Sequence, residues 1–381
     1  MTVGIIGCGT MGAGIAQVAA TFKNKVIVVD TNEDALNKAN SNLQETLQKL
    51  QQKGKLSEEK RKEIIDNIQW TSDFHTLQDA ELIIEAIIEN IDIKQKVFAQ
   101  IESIVSEKCV LATNTSSLSI TSIAAACAKP HRVIGIHFFN PAAIMQLVEI
   151  IPALQTDSTI VAHAKSVIES WNKVTVIAKD TPGFIVNRIA RPFYSEAIRI
   201  YEEGIASIEM IDFSLKKYGG FKMGPFELMD LIGHDVNYTV TETVWKSFYF
   251  DTKYTPSFSQ KRLVEAKWFG KKSGRGFYQY TSQNEQVKQE NNYDETACRI
   301  IVNRVLAMLI HEAANALYLN IATKQDIELA MTKGVNYPKG LLEWANEIGI
   351  ENVRKTLDDL YEYYHEERYR YSPLLKTIKQ F

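Results

Sequence analysis

Two ionisable residues in neighbouring apolar segments have the residue types needed for proton transfer. His137 ends the segment VIGIH at 133–137, and Glu149 stands inside LVEII at 147–151. Histidine suits general acid–base chemistry because its unperturbed pKa lies near neutral pH. An unpaired carboxylate in an apolar strand would be costly, so we expect Glu149 to meet His137 and to stabilise its imidazolium. The alternative for His137 is a buried histidine with a purely structural hydrogen bond.

Residues 2–30 have the spacing of a dinucleotide-binding site. An apolar run leads into the loop Gly7-Cys8-Gly9-Thr10-Met11-Gly12, and a small-residue helix and a second apolar run end on Asp30. Gly7 permits a sharp turn, Gly9 lets the backbone approach a pyrophosphate, and Gly12 allows close helix packing. The helix N-terminus offers free N–H groups to phosphates. Asp30 can accept hydrogen bonds from a ribose and would repel a 2′-phosphate, so we expect NAD rather than NADP. When an alcohol transfers a hydride to NAD, a base must take the hydroxyl proton, and His137 is the candidate for that base.

The elements around these residues alternate between strands and helices up to about residue 182, which predicts a Rossmann-type, doubly wound α/β sheet. A charged helical hairpin at 33–67 interrupts the pattern, with Ser57 as the cap of its second helix. The connection 140–145 is short, so the last strands are expected to include an antiparallel pair. The predicted later strands are 68–71, 82–86, 110–113, 133–137, 147–151 and 174–178.

Beyond residue 182 the periodicity is helical, and the sequence repeats. IVNR at 185–188 recurs at 301–304, and matches continue at the same shift without a gap, as at Glu196 and Glu312. We therefore predict two tandem all-α domains, 183–281 and 295–381, joined by a polar linker at 282–294. A short strand is expected near 276–278.

Composition limits the function classes. A net charge of −3 and a pI near 6.2 argue against nucleic acid as a partner. No apolar run approaches the length of a membrane span. The four cysteines have no metal-ligand spacing, so we expect neither a metal site nor disulfides. Met1 leads directly into the first strand, and a cytoplasmic location is expected.

Six motifs resemble those of the 3-hydroxyacyl-CoA dehydrogenase family, in order and with family spacing. They are LATNTSSLSI (111–120), GIHFFNP (135–141), LVEII (147–151), DTPGFIVNR (180–188), MGPFELMDLIG (223–233) and FGKKSGRGFYQY (269–280). The resemblance implies a Rossmann-type domain and a helical domain, with NAD and an acyl-CoA substrate meeting in the cleft between them. It implies reversible oxidation of an (S)-3-hydroxyacyl-CoA to a 3-oxoacyl-CoA.

The resemblance also implies roles for individual residues. His137 matches the catalytic base and Glu149 its partner, while Ser116 and Asn187 match the residues that hold the substrate 3-oxygen. The cofactor-side positions are Asn140, Glu89, Lys94 and Lys272, and the coenzyme A positions are Thr46 and Lys53. Structural alternatives exist, because Ser116 could cap the helix that follows Ser119 and Lys272 could be an ordinary surface lysine.

The acyl chain and the assembly state are less constrained. Short chains such as 3-hydroxybutyryl-CoA are the first expectation, and 3-hydroxyadipyl-CoA is the alternative. The rival functions are a dehydrogenase for small hydroxy acids and a non-catalytic protein that binds NAD or acyl-CoA. The duplicated helical domain is expected to form a pseudo-dimer within the chain, with one active site, and a higher oligomer stays possible.

Overall fold

One eight-stranded sheet organises the N-terminal part of the computed structural model, which describes residues 1–281 and 293–381. Its strand order is 3-2-1-4-5-6-7-8, and the first six positions follow the order of dinucleotide-binding sheets. Neighbouring strands are parallel except the sixth and seventh, which are antiparallel as expected from their short connection. The strands are β1 Thr2–Ile6, β2 Lys25–Val29, β3 Ile68–Thr71, β4 Leu82–Glu85, β5 Val110–Thr113, β6 Val133–Phe138, β7 Leu147–Pro152 and β8 Val174–Ile177. This confirms the predicted fold class.

Six α-helices cover this sheet. They are α1 Thr10–Thr21, α2 Glu33–Gln52, α3 Glu58–Asp66, α4 Ile91–Glu102, α5 Ile120–Ala124 and α6 Ser158–Ser170. Helices α2 and α3 form the predicted hairpin, and Ser57 caps α3 by accepting a hydrogen bond from the Lys60 N–H. The apolar stripe of α2, which includes Leu36, Leu43 and Leu47, is buried in the same core as the strands. The hairpin is thereby fixed to the sheet and does not project freely.

The chain divides into two compact units, Met1–Phe184 and Ile185–Phe381. The second is helical: α7 Val186–Ile189, α8 Arg191–Glu202, α9 Ile208–Lys217, α10 Pro225–Ile232, α11 His234–Ser247, α12 Phe258–Glu265, α13 Glu295–Tyr318, α14 Lys324–Leu329, α15 Leu341–Ile348, α16 Ile350–Tyr364 and α17 Pro373–Thr377. The prediction of a short strand near 276–278 is wrong. In the described part of this unit, extended pairing is limited to isolated bridges from Arg275 to Gly270 and Gln279. Most of the predicted linker, 282–292, lies outside the described residues, while Asp294 caps α13.

Helix α13 is the centre of the second unit. It packs on α8 and α9 of the first repeat, 183–281, and on α15, α16 and α17 of the second repeat, 295–381. Within the described ranges it alone has the length and apolar composition of a membrane span. However, 78% of that apolar stretch is buried inside the protein, as expected for the core helix of a globular unit.

The helices on either side of α13 repeat at the shift seen in the sequence. Three pairs of helices begin 116 residues apart, at Ile208 and Lys324, at Pro225 and Leu341, and at His234 and Ile350. Side chains also cross between the two sequence repeats. Arg304 Nε donates to Glu196 Oε2 at 3.0 Å, and the Tyr369 hydroxyl donates to the same oxygen at 3.1 Å.

Glu312, which stands at the shifted position of Glu196, is bound by residues of the first repeat. The Tyr254 hydroxyl donates to Glu312 Oε2 at 2.6 Å, and Lys253 Nζ lies 3.4 Å from the other oxygen. Burial opposes ionisation of Glu312, but Lys253, His311 and Arg188 outweigh it and hold the pKa of that carboxyl below its ordinary value. Each repeat therefore supplies a buried glutamate that is bound by residues of the other repeat.

Candidate active site

The predicted histidine and glutamate form a buried pair. Strands β6 and β7 pair in a register that places His137 directly opposite Glu149, so their side chains lie on the same face. His137 Nδ1 lies 2.7 Å from Glu149 Oε2, and the side chains are 7% and 1% exposed. The rings of Phe139 and Phe184 flank the imidazole at 4.5 and 5.9 Å between centroids. The carboxylate therefore directs Nε2 away from β7, and the apolar walls strengthen its hold on an imidazolium.

The glycine loop has the geometry that a dinucleotide needs. Gly7 has a φ of +98°, and a Cβ on Gly12 would lie 1.9 Å from the Gly7 carbonyl oxygen, so neither position accepts a side chain. A Cβ on Gly9 would meet no atom within 4 Å, which leaves room for a phosphate. Gly9 is also the N-cap of α1. It has no side chain to accept hydrogen bonds from the free N–H groups of the first turn of α1, so these groups can bind a phosphate.

Asp30 lies beside this loop. Its carboxylate accepts hydrogen bonds from the N–H groups of Cys8 and Asn32, both at 3.0 Å. Burial alone would raise the pKa of Asp30, but these bonds outweigh it and keep the pKa below its ordinary value. A cavity of about 700 Å³ runs from Asp30 past Gly9 and Thr10 to Asn140. The residues present therefore fit a bound NAD, with a negative charge where a 2′-phosphate would lie.

The same cavity tests the predicted coenzyme A contacts. Thr46 lines it from α2, although its hydroxyl donates to the Asn42 carbonyl oxygen within the helix. Lys53, by contrast, caps the C-terminus of α2, is exposed, and is not part of this cavity's lining. The structure therefore brings Thr46, but not Lys53, to the wall that also carries Gly9 and Asn140.

The cofactor-side residues Glu89 and Lys94 belong to one network at the carboxyl ends of β4 and β5. Lys94 is 1% exposed, and its Nζ lies 2.6 Å from Glu85 and 3.4 Å from Glu89. Glu89 Oε1 accepts bonds from the hydroxyls of Thr115 and Ser117 and from the Ser116 N–H. Burial opposes ionisation of Glu89, yet Lys94 and these donors keep the pKa below its ordinary value. Two carboxylates therefore already balance the charge of Lys94. Its direct contact with the cofactor stays a prediction.

Glu85 was missed by the sequence reasoning. It is fully buried, and Thr113 donates to its second oxygen at 2.7 Å. The signal was the one that identified Glu149, a carboxylate in an otherwise apolar strand, here LIIE at 82–85.

The polar residues predicted to hold the substrate oxygen lie in different units. Ser116 is half-buried, and its hydroxyl has no protein partner in the described ranges. It does not cap α5, since that role falls to Ser119, whose hydroxyl accepts from the Ser122 N–H. Asn187 is half-buried in α7 of the second unit. The Ser116 hydroxyl and the Asn187 amide are therefore each accessible to a ligand.

Lys272 lies in the second unit, in the turn that follows α12. Its Nζ lies 2.6 Å from Asp235 Oδ1, and both side chains are partly exposed. The sequence reasoning did not include Asp235. A Cβ on Gly233 would approach the Lys272 Nζ to 2.8 Å, so the glycine makes space for the lysine beside its acidic partner.

Comparison with known families identifies the chain. The model of the 3-hydroxyacyl-CoA dehydrogenase NAD-binding domain matches residues 2–181, and that of the C-terminal domain of the same family matches residues 183–280 and 300–380. The chain belongs to the 3-hydroxyacyl-CoA dehydrogenase family. It is an NAD-dependent oxidoreductase that acts on acyl-CoA substrates, as the resemblance in the sequence predicted.

The relatives of this dehydrogenase fall into full-length and shorter chains. The 3-hydroxyadipyl-CoA dehydrogenase of Escherichia coli K12 is 36% identical over 98% of this chain and 96% of its own. The 3-hydroxybutyryl-CoA dehydrogenase of Clostridioides difficile is 40% identical over 74% of this chain and 99% of its own. A crystal structure of a 3-hydroxybutyryl-CoA dehydrogenase from E. coli K12 has a TM-score of 0.92 at 35% identity and covers 99% of this chain and 97% of its own.

Proposed function

We propose that the enzyme oxidises (S)-3-hydroxyacyl-CoA to 3-oxoacyl-CoA reversibly, with His137 as general base in oxidation and general acid in reduction. The buried pair of His137 Nδ1 and Glu149 Oε2, at 2.7 Å, carries this proposal. Nδ1 is occupied by the carboxylate, so Nε2 is the nitrogen that takes the proton of the substrate 3-hydroxyl. Glu149 offsets the positive charge that the ring then acquires.

Other residues have supporting roles in the proposal. Bound NAD supplies the hydride acceptor. Ser116 donates to the substrate 3-oxygen through a hydroxyl that no described protein group occupies, and Asn187 donates its amide to the same oxygen. Asn140 lies near the nicotinamide, and Glu89, Lys94 and Lys272 contact the cofactor; Lys94 also holds Glu89 in place. Gly7, Gly9, Thr10, Met11, Gly12 and Asp30 bind the dinucleotide, and Thr46 and Lys53 contact coenzyme A.

Acyl-chain preference is the part of the function that most needs measurement. Our first proposal is a short chain such as 3-hydroxybutyryl-CoA, and 3-hydroxyadipyl-CoA is the alternative; both names occur among the full-length relatives. The test is kcat/KM over a series of 3-hydroxyacyl-CoA thioesters of graded length that includes a dicarboxylic member. A flat profile, or failure to oxidise any of them, would contradict the proposal.

We also propose that the helical repeats 183–281 and 295–381 form a pseudo-dimer within one chain. Glu196 and Glu312 stand at equivalent positions of the two repeats, and each is bound by the other repeat, Glu196 by Arg304 and Glu312 by Tyr254. This supports the proposal, because the two halves of a two-fold interface exchange contacts in this way. Asn303 repeats Asn187 in sequence and is proposed to be structural. A cytoplasmic location is proposed from the four cysteines, which are unpaired and buried and therefore fit a reducing compartment.

A further inference from the structure

Arg191 is a buried cation whose charge no described carboxylate balances. It begins α8, is 6% exposed, and its only hydrogen bond within the described ranges runs from NH1 to the Thr241 hydroxyl at 3.1 Å. Its guanidinium also lies 4.9 Å from the Tyr194 ring. Burial lowers the pKa of Arg191, and the groups that act against this are the tyrosines Tyr194 and Tyr337. A buried charge without a counter-ion is costly and needs a reason.

Two other buried arginines of this unit show what balances such a charge. Arg304 forms ion pairs with Glu196 and Glu203, whereas Arg188 stacks on the Phe248 ring and acts on the Glu312 carboxylate only at longer range. The shift of 116 residues that relates the two helical repeats places Ala307 at the position of Arg191. Helix α13 thus packs in the same architecture with a buried alanine there. The fold itself therefore does not require an arginine at this position.

Arg191 lines a cavity of about 390 Å³, and three buried polar atoms in or beside it have no hydrogen-bond partner among the described residues. They are the Arg191 Nε, the Ser195 hydroxyl in the same lining, and the hydroxyl of Tyr337. Three carboxylates also line this cavity, but each is bound by other groups: Glu202 by Ser257 and Ser259, Glu203 by Arg304, and Glu366 by Arg368. None of the three binds Arg191, so its guanidinium has no anionic acceptor among the described residues, and a carboxylate matches a guanidinium best.

The position of Arg191 on the helix indicates which carboxylate would reach its guanidinium. It follows Asn187 by four residues, and Ala190 between them keeps right-handed helical dihedrals, so the two lie about one turn or 6 Å apart. Asn187 is proposed to hold the oxygen on substrate C3. Three bonds from C3 lead to C6 and span about 3.8 Å in an extended chain. A six-carbon dicarboxylic chain would thus bring its terminal carboxylate within reach of the Arg191 side chain, whereas a four-carbon chain would end too early.

We propose that Arg191 binds the terminal carboxylate of a dicarboxylic acyl chain and selects ω-carboxylated 3-hydroxyacyl-CoA substrates of about six carbons. This rests on the proposed reaction, and it favours the alternative acyl chain named above, 3-hydroxyadipyl-CoA, over the short unsubstituted chain. Tyr337 is a second donor to that carboxylate.

The test compares 3-hydroxyadipyl-CoA with 3-hydroxyhexanoyl-CoA, which has the same chain length and ends in a methyl group. We expect the wild type to favour the dicarboxylic thioester in kcat/KM. Arg191→Met should lower the ratio of the two values about 10²-fold, the size expected when a buried charge pair loses one partner. Arg191→Lys should retain part of the preference, and Tyr337→Phe should reduce it several-fold. Arg299→Met, an exposed arginine on α13, is the matched control and should leave the ratio unchanged.

Thermal unfolding separates a binding role from a structural one. Without ligand, Arg191→Met should be at least as stable as the wild type, because it removes an unbalanced buried charge. In the wild type, 3-hydroxyadipyl-CoA alone should raise Tm more than 3-hydroxyhexanoyl-CoA does, and Arg191→Met should abolish that difference.

Equal use of both thioesters by the wild type, or an equal loss for both in Arg191→Met, would overturn this assignment and leave the proposed function standing. Failure to oxidise any 3-hydroxyacyl-CoA would overturn the proposed function itself.

Discussion

Neutralising Glu149 is the sharpest test of the proposed acid–base pair. In Glu149→Gln the side chain keeps its shape and one acceptor oxygen for His137 Nδ1 but loses its charge. When the centres of charge of an imidazolium and a carboxylate are about 4 Å apart, the two groups attract each other by about 4 kcal/mol at an effective dielectric constant of about 20. The side chains are 7% and 1% exposed, so water screens this attraction little. At about 1.4 kcal/mol per factor of ten, kcat should fall about 10²- to 10³-fold.

The assay is NADH formation followed by absorbance across neutral and alkaline pH, together with calorimetric measurement of NAD affinity. His137→Gln removes the base and should cost several orders of magnitude in kcat with NAD binding nearly intact. The double variant should be no slower than His137→Gln alone, because Glu149 acts only through the histidine. Glu169→Gln, on the exposed side of α6, is the matched control and should keep full activity.

Two results would refute the reasoning about this pair. One is a His137→Gln or Glu149→Gln enzyme that retains a tenth of the wild-type kcat. The other is a double variant whose loss is the product of the two single losses, since independent effects multiply only when neither residue works through the other.

Three further predictions concern the cofactor, acid stability and assembly. Asp30→Ser combined with Thr31→Arg should narrow or reverse the preference for NAD, whereas equal kcat/KM for both cofactors in the wild type would contradict the role of Asp30. Burial lowers the pKa of His311 from 6.5 to about 4. As pH falls, His311 is protonated in the unfolded chain before it is protonated in the folded protein. About 3 kcal/mol of the free energy of unfolding, present above pH 6.5, should therefore be lost as pH falls toward 4. His311→Leu should flatten this limb in urea titrations, and an unchanged acid limb would contradict the burial argument. Deleting residues 282–381 should expose the surface of α8 and α9 and give dimers or aggregates in light scattering, while a well-behaved monomer would speak against the pseudo-dimer.

Much of the fold was predictable because its signals are local. The strand 147–151 of the prediction is β7 with one residue added, and the short connection after Asn140 correctly indicated an antiparallel pair. The period-two register then placed His137 opposite Glu149, so the pair followed from two segments of sequence. The strand expected near 276–278 failed because its backbone groups bind Asp230 instead, which accepts from the N–H groups of Phe277 and Tyr278.

The side-chain partners were harder to predict. Lys94 matched a cofactor position in sequence, but the structure surrounds its ammonium group with Glu85 and Glu89. Arg191 gave no signal at all, because an arginine at the start of a helix is ordinary until its surroundings are known. Periodicity shows which face of an element is buried, whereas the choice among competing partners depends on distances between elements far apart in sequence.

The exchange of contacts between Glu196 and Glu312 has a consequence for how the enzyme responds to dilution. Shorter chains that pair through such a surface obey mass action, so their assembly depends on enzyme concentration. Here a peptide chain links the two partners, and Arg304 meets Glu196 at an effective concentration that dilution cannot change. Specific activity should therefore stay constant down to the lowest enzyme concentrations that can be assayed.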